Sequence, residues 1–209
     1  MLTYQGPPLE RGGTSINAPV NRIATLLSPF IQPGMRVLDY GAGRYARFAD
    51  HFRLRGVEVY AYDPYHSSGG DGRGTGSVVS KLPSGEEFDL AYSVYVLNVV
   101  PDHIEDKILA EMMSFAPKTV HVTRGTSIKN FAKKALERGG GGTYDFYVNE
   151  FAPLHPTAAE ELASGQVSDD TLWDFAHFGY ATPRGFQRVP RTASKGYSAR
   201  GKEPMMFVG

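Results

Sequence analysis

The 209-residue sequence predicts an α/β chain, a doubly wound and mainly parallel sheet with helices on both faces and a C-terminal elaboration. Three observations point there. Short apolar runs bounded by breakers alternate with stretches of helical period. The runs are apolar along most of their length, as strands covered on both faces are. The first run ends in Gly41-Ala42-Gly43, a turn that leads almost at once into a helical pattern. With 41% hydrophobic residues the chain can fill one sizeable core, so residues 1–209 are expected to form a single domain.

Taken in order, residues 1–13 are Gly- and Pro-rich and lack a helical or strand pattern. An N-terminal helix is expected within 14–34, where Ile16, Val20, Ile23, Leu26, Leu27 and Phe30 keep helical spacing until Pro33-Gly34. The core follows at 35–125. It comprises a strand at 35–39, a helix at 45–55 ended by Gly56, and a strand at 57–62. After the five-glycine loop 66–76 come a weak strand at 77–80, a firmer one at 88–94, a helix at 102–115 and a strand at 119–123. Residues 126–185 read as a helical and aromatic insertion. Within it we expect a basic helix at 127–138, an aromatic strand at 143–151, and helices at 157–163 and 169–178. A final strand pair is expected within 186–209.

Composition removes several functions. There is no cysteine, hence no disulfide, thiolate metal site or cysteine nucleophile. Lys+Arg and Asp+Glu both number 22, so any nucleic-acid contact must come from a local patch. No histidine pair has metal-ligand spacing, and no metal is expected. The N-terminus lacks a basic-then-apolar leader and no run of about 18 apolar residues occurs, so a cytoplasmic location without membrane contact is expected.

The turn after the first strand carries the functional signal. Ligands of open α/β sheets collect at the carboxyl ends of strands. Gly41 and Gly43 let the main chain approach a ligand closely there. Gly41-x-Gly43-x-x-Ala46 with Asp63 twenty positions on also meets a loose dinucleotide pattern, which keeps a nicotinamide-linked oxidoreductase open. Asp39 tips the balance. A carboxylate two positions before the first glycine repels a pyrophosphate and suits a ligand with an ammonium group.

Asp39-x-Gly41-x-Gly43 together with Asp63 resembles the class I S-adenosylmethionine-dependent methyltransferases. That resemblance implies a Rossmann-like fold and S-adenosyl-L-methionine as cofactor. It implies cofactor contacts from Asp39, Gly41, Gly43, Asp63, Pro64, Tyr65 and Ser93, with Asp63 accepting from the ribose hydroxyls. "AYDPY" and "YVLNVVPD" look like a smaller group of methyltransferases associated with DNA-modification systems, where Asp-Pro-Tyr and Tyr-Val-Leu-Asn-Val recur. Two departures stand out. Val79-Ser80-Lys81-Leu82 offers no acidic residue for the adenine amino group, and Ser93-Val94-Tyr95-Val96 is not the Asp/Asn-Pro-Pro-aromatic motif of base amino-group methyltransferases.

In-line methyl transfer needs alignment and sometimes proton removal, not a fixed triad. Tyr95 and Asn98 are the acceptor-side candidates, Tyr95 also reading as a packing residue and Asn98 as a turn cap. His66 and Arg124 lie beyond neighbouring strands, and His121 reads as a core histidine. Arg124, Lys129 and Lys133 are expected to bind substrate, the lysines on a helix that reads equally as a solvated face. A second basic tract runs through Arg184, Arg188, Arg191, Lys195 and Arg200. The expected function is methyl transfer to nucleic acid or a modified nucleotide, with a small-molecule acceptor or a non-catalytic cofactor-binding subunit as alternatives.

Overall fold

The computed structural model describes residues 20–100, 102–124, 132–134, 136–137, 139, 142–189 and 204–209. They fall into two compact units, one running to Thr123 and the other from Arg124 to Phe207.

The first unit opens with helix α1, Val20–Leu27, which buries Ile23, Ala24 and Leu27. Strand β1, Arg36–Tyr40, is followed by helix α2, Arg47–Arg53, and strand β2, Glu58–Tyr62. Strand β3, Leu90–Val94, passes through a 3-10 turn at Leu97–Val99 into helix α3, Asp102–Phe115, and strand β4, Thr119–Arg124. The strands lie in the order β2-β1-β3-β4 and pair in parallel, with Leu38 opposite both Tyr60 and Ala91 and Ser93 opposite His121. This is the α/β, Rossmann-like arrangement expected. The chain steps from β1 to β2 on one side and returns to β3 on the other, so the order reverses beside β1.

Alternation divides the side chains between the faces. Leu38, Tyr40, Tyr60, Tyr62 and Ala91 cluster with Met112 and Ala116 of the α3 region. Asp39 and Tyr92 have the opposite parity, and the Tyr92 ring meets Phe52 of α2 edge-on at 6.0 Å. The sheet is thus covered by α2 on one face and α3 on the other, which is why its strands are apolar along most of their length.

The expected strand at 77–80 reduces to isolated bridges, Val79 to Tyr62 and Val78 to Gly69. Val79 bonds to the end of β2, its N–H donating to Ala61 O at 3.0 Å, while the main chain of Ser77 and Val78 is occupied by a glycine-rich loop that folds back on itself. Arg53 pins that loop: its guanidinium donates to Val59 O at 2.9 Å and also to Gly72 O, while Asp50 accepts from Gly76 N–H at 3.0 Å.

In the second unit the expected strand at 143–151 is helical instead. Helix α4, Gly142–Phe146, continues into a π-helical turn at Tyr147–Phe151. Of the aromatics that suggest a strand by propensity, Tyr144, Phe146, Tyr147 and Phe151, the two that are buried, Tyr147 and Phe151, stand four apart, which is helical spacing. Tyr147 is fully buried, its hydroxyl donating to Ala158 O at 3.0 Å. Helix α5, Ala158–Ala163, and helix α6, Asp169–Ala181, follow. Ser168 caps α6 by accepting from Thr171 N–H. The expected final pair is present as β5, Gln187–Arg188, beside β6, Pro204–Val208. Of the basic helix, 132–134 and 136–137 are helical, while Lys129 and Arg138 lie outside the described residues. Residues 14–19 and Arg191, Lys195 and Arg200 do so as well. Among the described residues no helix is long and apolar enough to cross a membrane.

Candidate functional site

A cavity of about 270 Å³ lies within the first unit, at the carboxyl ends of β1, β2 and β3, where the strand order reverses. Its floor is the 41–43 turn. Gly41 N–H and Ala42 N–H both donate to Tyr62 O, at 2.8 and 2.9 Å, which draws the turn over the end of β2. Gly41 has φ +81°, and a Cβ there would stand 2.4 Å from Val96 Cγ2, so the turn packs flush against the segment after β3. Gly43, at φ +68°, donates to Asp63 Oδ2 at 2.9 Å.

Asp63 joins two walls of the cavity. Besides Gly43, its Oδ1 accepts from Tyr65 N–H at 2.9 Å and His66 N–H at 3.1 Å. A carboxylate has about four acceptor positions, so three backbone bonds leave one for a ligand. Tyr95 lines the third wall at φ +61°, a left-handed conformation that a bulky residue rarely adopts, and its N–H donates to Val122 O at 2.7 Å. The remaining lining is mostly apolar, including Val94, Val96, Ile104 and Ile108. At the mouth Tyr45 and Tyr65 are 47% and 61% exposed. Arg44 lies 5.8 Å from the Tyr45 ring centre, and the exposed Arg47 also borders the cavity.

Of the residues singled out from sequence, Gly41, Gly43, Asp63, Pro64, Tyr65 and Tyr95 meet at this cavity. Asp39 and Ser93 are not among its lining. Asp39 is 1% exposed on the α2 face, with Arg53 and Tyr92 as polar neighbours. Tyr92 hydroxyl interacts with the carboxylate, yet neither it nor Asp39 Oδ2 completes a hydrogen bond of full geometry. Burial pushes Asp39 up to about 7, against the lowering effect of Tyr92 and Arg53. Ser93 Oγ pairs with His121 Nδ1 at 3.0 Å, and His121 Nε2 with Thr119 Oγ1 at 3.0 Å, so that histidine is buried among hydroxyls.

Asn98 lies in the 3-10 turn whose Val99 borders the cavity. Arg124 is exposed at the end of β4. Lys133, on the second unit, is exposed and 3.7 Å from Glu137. Sequence reading missed Tyr40, Tyr62, Tyr45 and Arg47. The signal for the first two was parity: Tyr40 and Tyr62 end their strands on the α3 face, next to residues already identified.

The donor set fits an adenosyl-amino-acid cofactor. Asp63 offers a buried acceptor for a ribose diol, the 41–43 turn offers main-chain contacts, and aromatic and aliphatic walls suit a purine and an alkyl chain. Comparison with known proteins agrees with this reading. Residues 15–134, more than half of the chain, match the family model described as "Methyltransferase domain". The chain belongs to that family, and it is an S-adenosylmethionine-dependent methyltransferase, which sets aside the oxidoreductase alternative.

No curated protein matches the sequence. Magnesium protoporphyrin IX methyltransferase from Synechocystis PCC 6803, with bound S-adenosylhomocysteine, is similar at 13% identity and TM-score 0.47, over 90% of this chain and 80% of that one. The methyltransferase domain of a bacterial Hen1 is similar at 12% identity and TM-score 0.45, over 90% and 95%. A TehB-like methyltransferase from Corynebacterium glutamicum ATCC 13032 is similar at 15% identity and TM-score 0.43, over 88% and 84%.

Proposed function

We propose that this methyltransferase acts on a base of single-stranded nucleic acid, or on a nucleotide. The observation that carries the reading is the cavity mouth, where two exposed tyrosines, Tyr45 and Tyr65, stand with Arg44 and Arg47. Aromatic faces stack on unpaired bases and guanidinium groups hold phosphates, and a strand tracking such a rim would deliver a base to the cavity.

In this reading the Gly41–Gly43 main chain and Asp63 hold the cofactor, with Pro64 beside its adenine. The bound cofactor supplies an electrophilic methyl group. Asp39, buried behind the turn, shapes it rather than touching the ammonium group, and Ser93 is engaged by His121 between β3 and β4. Tyr95 and Asn98 face the acceptor. Lys133, paired with Glu137, is less suited to hold a phosphate.

The test supplies methyl-labelled cofactor with single- and double-stranded DNA, RNA and free nucleotides, then digests the products and identifies the labelled nucleoside by mass spectrometry. Label on a base in the single-stranded samples is expected. A protein that binds S-adenosylhomocysteine yet labels none of them would overturn the acceptor assignment.

A further inference from the structure

Methyl transfer to a neutral N–H or O–H group leaves one proton too many on the acceptor. Where that proton goes decides how fast the step can run. The side chains around the cavity differ in what they could do with it. Asp63 is engaged by three backbone N–H groups, Arg47 is already a cation, and Tyr45 and Tyr65 stand at the exposed mouth. Tyr40 is different. It lines the cavity, is 4% exposed, and its hydroxyl donates to Glu111 Oε2 on α3. Glu111 itself is exposed. Tyr62, also in the cavity wall, stands edge-on to Tyr40 with ring centres 5.0 Å apart and fixes its orientation. Two side chains thus connect the interior of the cavity to the surface through α3.

Resting on the methyltransferase reading, we propose that Tyr40 and Glu111 form the proton exit of this site, for acceptors that present a neutral N–H or O–H group. The acceptor's lone pair forms the bond to the methyl carbon, and the carbon–sulfur bond breaks with its electron pair remaining on sulfur. The acceptor's proton passes to the Tyr40 oxygen as the Tyr40 proton passes to Glu111. The products are a methylated acceptor, a neutral thioether, an intact Tyr40 phenol and a protonated Glu111, which returns its proton to water. Burial, followed by the hydrogen bond to Glu111, the neighbouring Tyr62 and the charge of Glu111, pushes the Tyr40 phenol well above its usual range, and burial likewise raises Tyr62. Tyr40 therefore stays protonated and works only by giving up its own proton as it receives another. Glu111, acting through Tyr40, is a positioning residue for this transfer.

The test uses Glu111→Gln, which keeps size and hydrogen-bonding capacity, and Tyr40→Phe, which keeps the ring. Both are expected to bind S-adenosylhomocysteine within about twofold of wild type. Single-turnover methylation should fall on the order of 100-fold in each. The wild-type proton inventory in H2O/D2O mixtures should curve, with two protons in flight, and become linear or vanish in Glu111→Gln.

A readout without turnover is the 13Cζ resonance of Tyr40 in tyrosine-labelled protein, assigned by its loss in Tyr40→Phe. It should shift in Glu111→Gln. A Tyr40 resonance indifferent to Glu111→Gln would overturn the pairing. Folded variants with wild-type rate and inventory would overturn the exit path while leaving the methyltransferase assignment standing. Failure of wild type to bind S-adenosylhomocysteine would instead undo the cofactor site on which both rest.

Discussion

At the residue scale, two aspartates that look alike in the sequence do different work. Asp63 accepts three backbone N–H bonds at the cavity and was legible because it ends the second strand twenty positions after Gly43. Removing it should cost a charged hydrogen bond to the cofactor. Asp63→Ala is expected to weaken S-adenosylhomocysteine by about 1.5–3 kcal/mol in calorimetry, and unchanged affinity in a folded variant would remove Asp63 from the site. Asp39 was legible as an acid at the first strand's end, but not its direction. Strand parity sets it with Val37 on the α2 face, opposite Leu38 and Tyr40, and the motif alone does not say which face is the ligand's. Its carboxyl is raised to about 7, so between about 4 and 7 the folded state holds a proton that the unfolded state releases. Asp39 therefore makes stability fall as pH rises through that window. Asp39→Asn mimics the protonated form and should flatten the fall, gaining on the order of a few kcal/mol over wild type at pH 8 relative to pH 5. Denaturant melts at the two pH values measure it, and parallel wild-type and variant profiles would contradict it.

At the element scale, the sequence marked most strands and helices correctly because their apolar spacing agrees with their propensities. It failed where the two diverge. The aromatic stretch 143–151 has strand propensity and helical spacing, and packing decided for spacing, with Tyr147 and Phe151 meeting Phe175 at 4.7 and 5.3 Å between ring centres. The glycine-rich loop 66–76 gave no sign of its anchors, because they are side chains of α2, Arg53 and Asp50, that lie before it in sequence. Arg53 is 9% exposed at its side chain and bonds Asp50 at 2.7 Å and carbonyls from two segments. Arg53→Met removes a buried cation whose partners have no replacement, so a loss of about 3 kcal/mol is expected, with faster amide exchange across 69–79. Exchange unchanged there would mean that Ser77 and the bridges of Val78 and Val79 hold the loop without it.

At the scale of the whole molecule, the balance of 22 basic and 22 acidic residues leaves no overall field to draw in a polyanion. Binding to nucleic acid must then rest on few local cations, and its salt dependence counts them. Each phosphate contact to a single strand contributes about 0.7 to the slope of log K against log salt. Two surfaces compete for the role: the cavity mouth with Arg44 and Arg47, and the helical segment with Lys133 and Lys134, both exposed. Lys133 shares its charge with Glu137, whereas Arg44 lies beside the exposed face of Tyr45, where a base and its phosphate would be held together. Arg44→Gln with Arg47→Gln should therefore lower the slope by up to about 1.4, and Lys133→Gln with Lys134→Gln should change it little. Fluorescence anisotropy with a labelled single-stranded oligonucleotide across a salt series makes the measurement. The reverse ranking would move the docking surface to the lysine-bearing segment, and a wild type without salt-dependent binding would point to a small-molecule acceptor, for which a cavity walled by tyrosines and aliphatic side chains selects something flat and largely apolar.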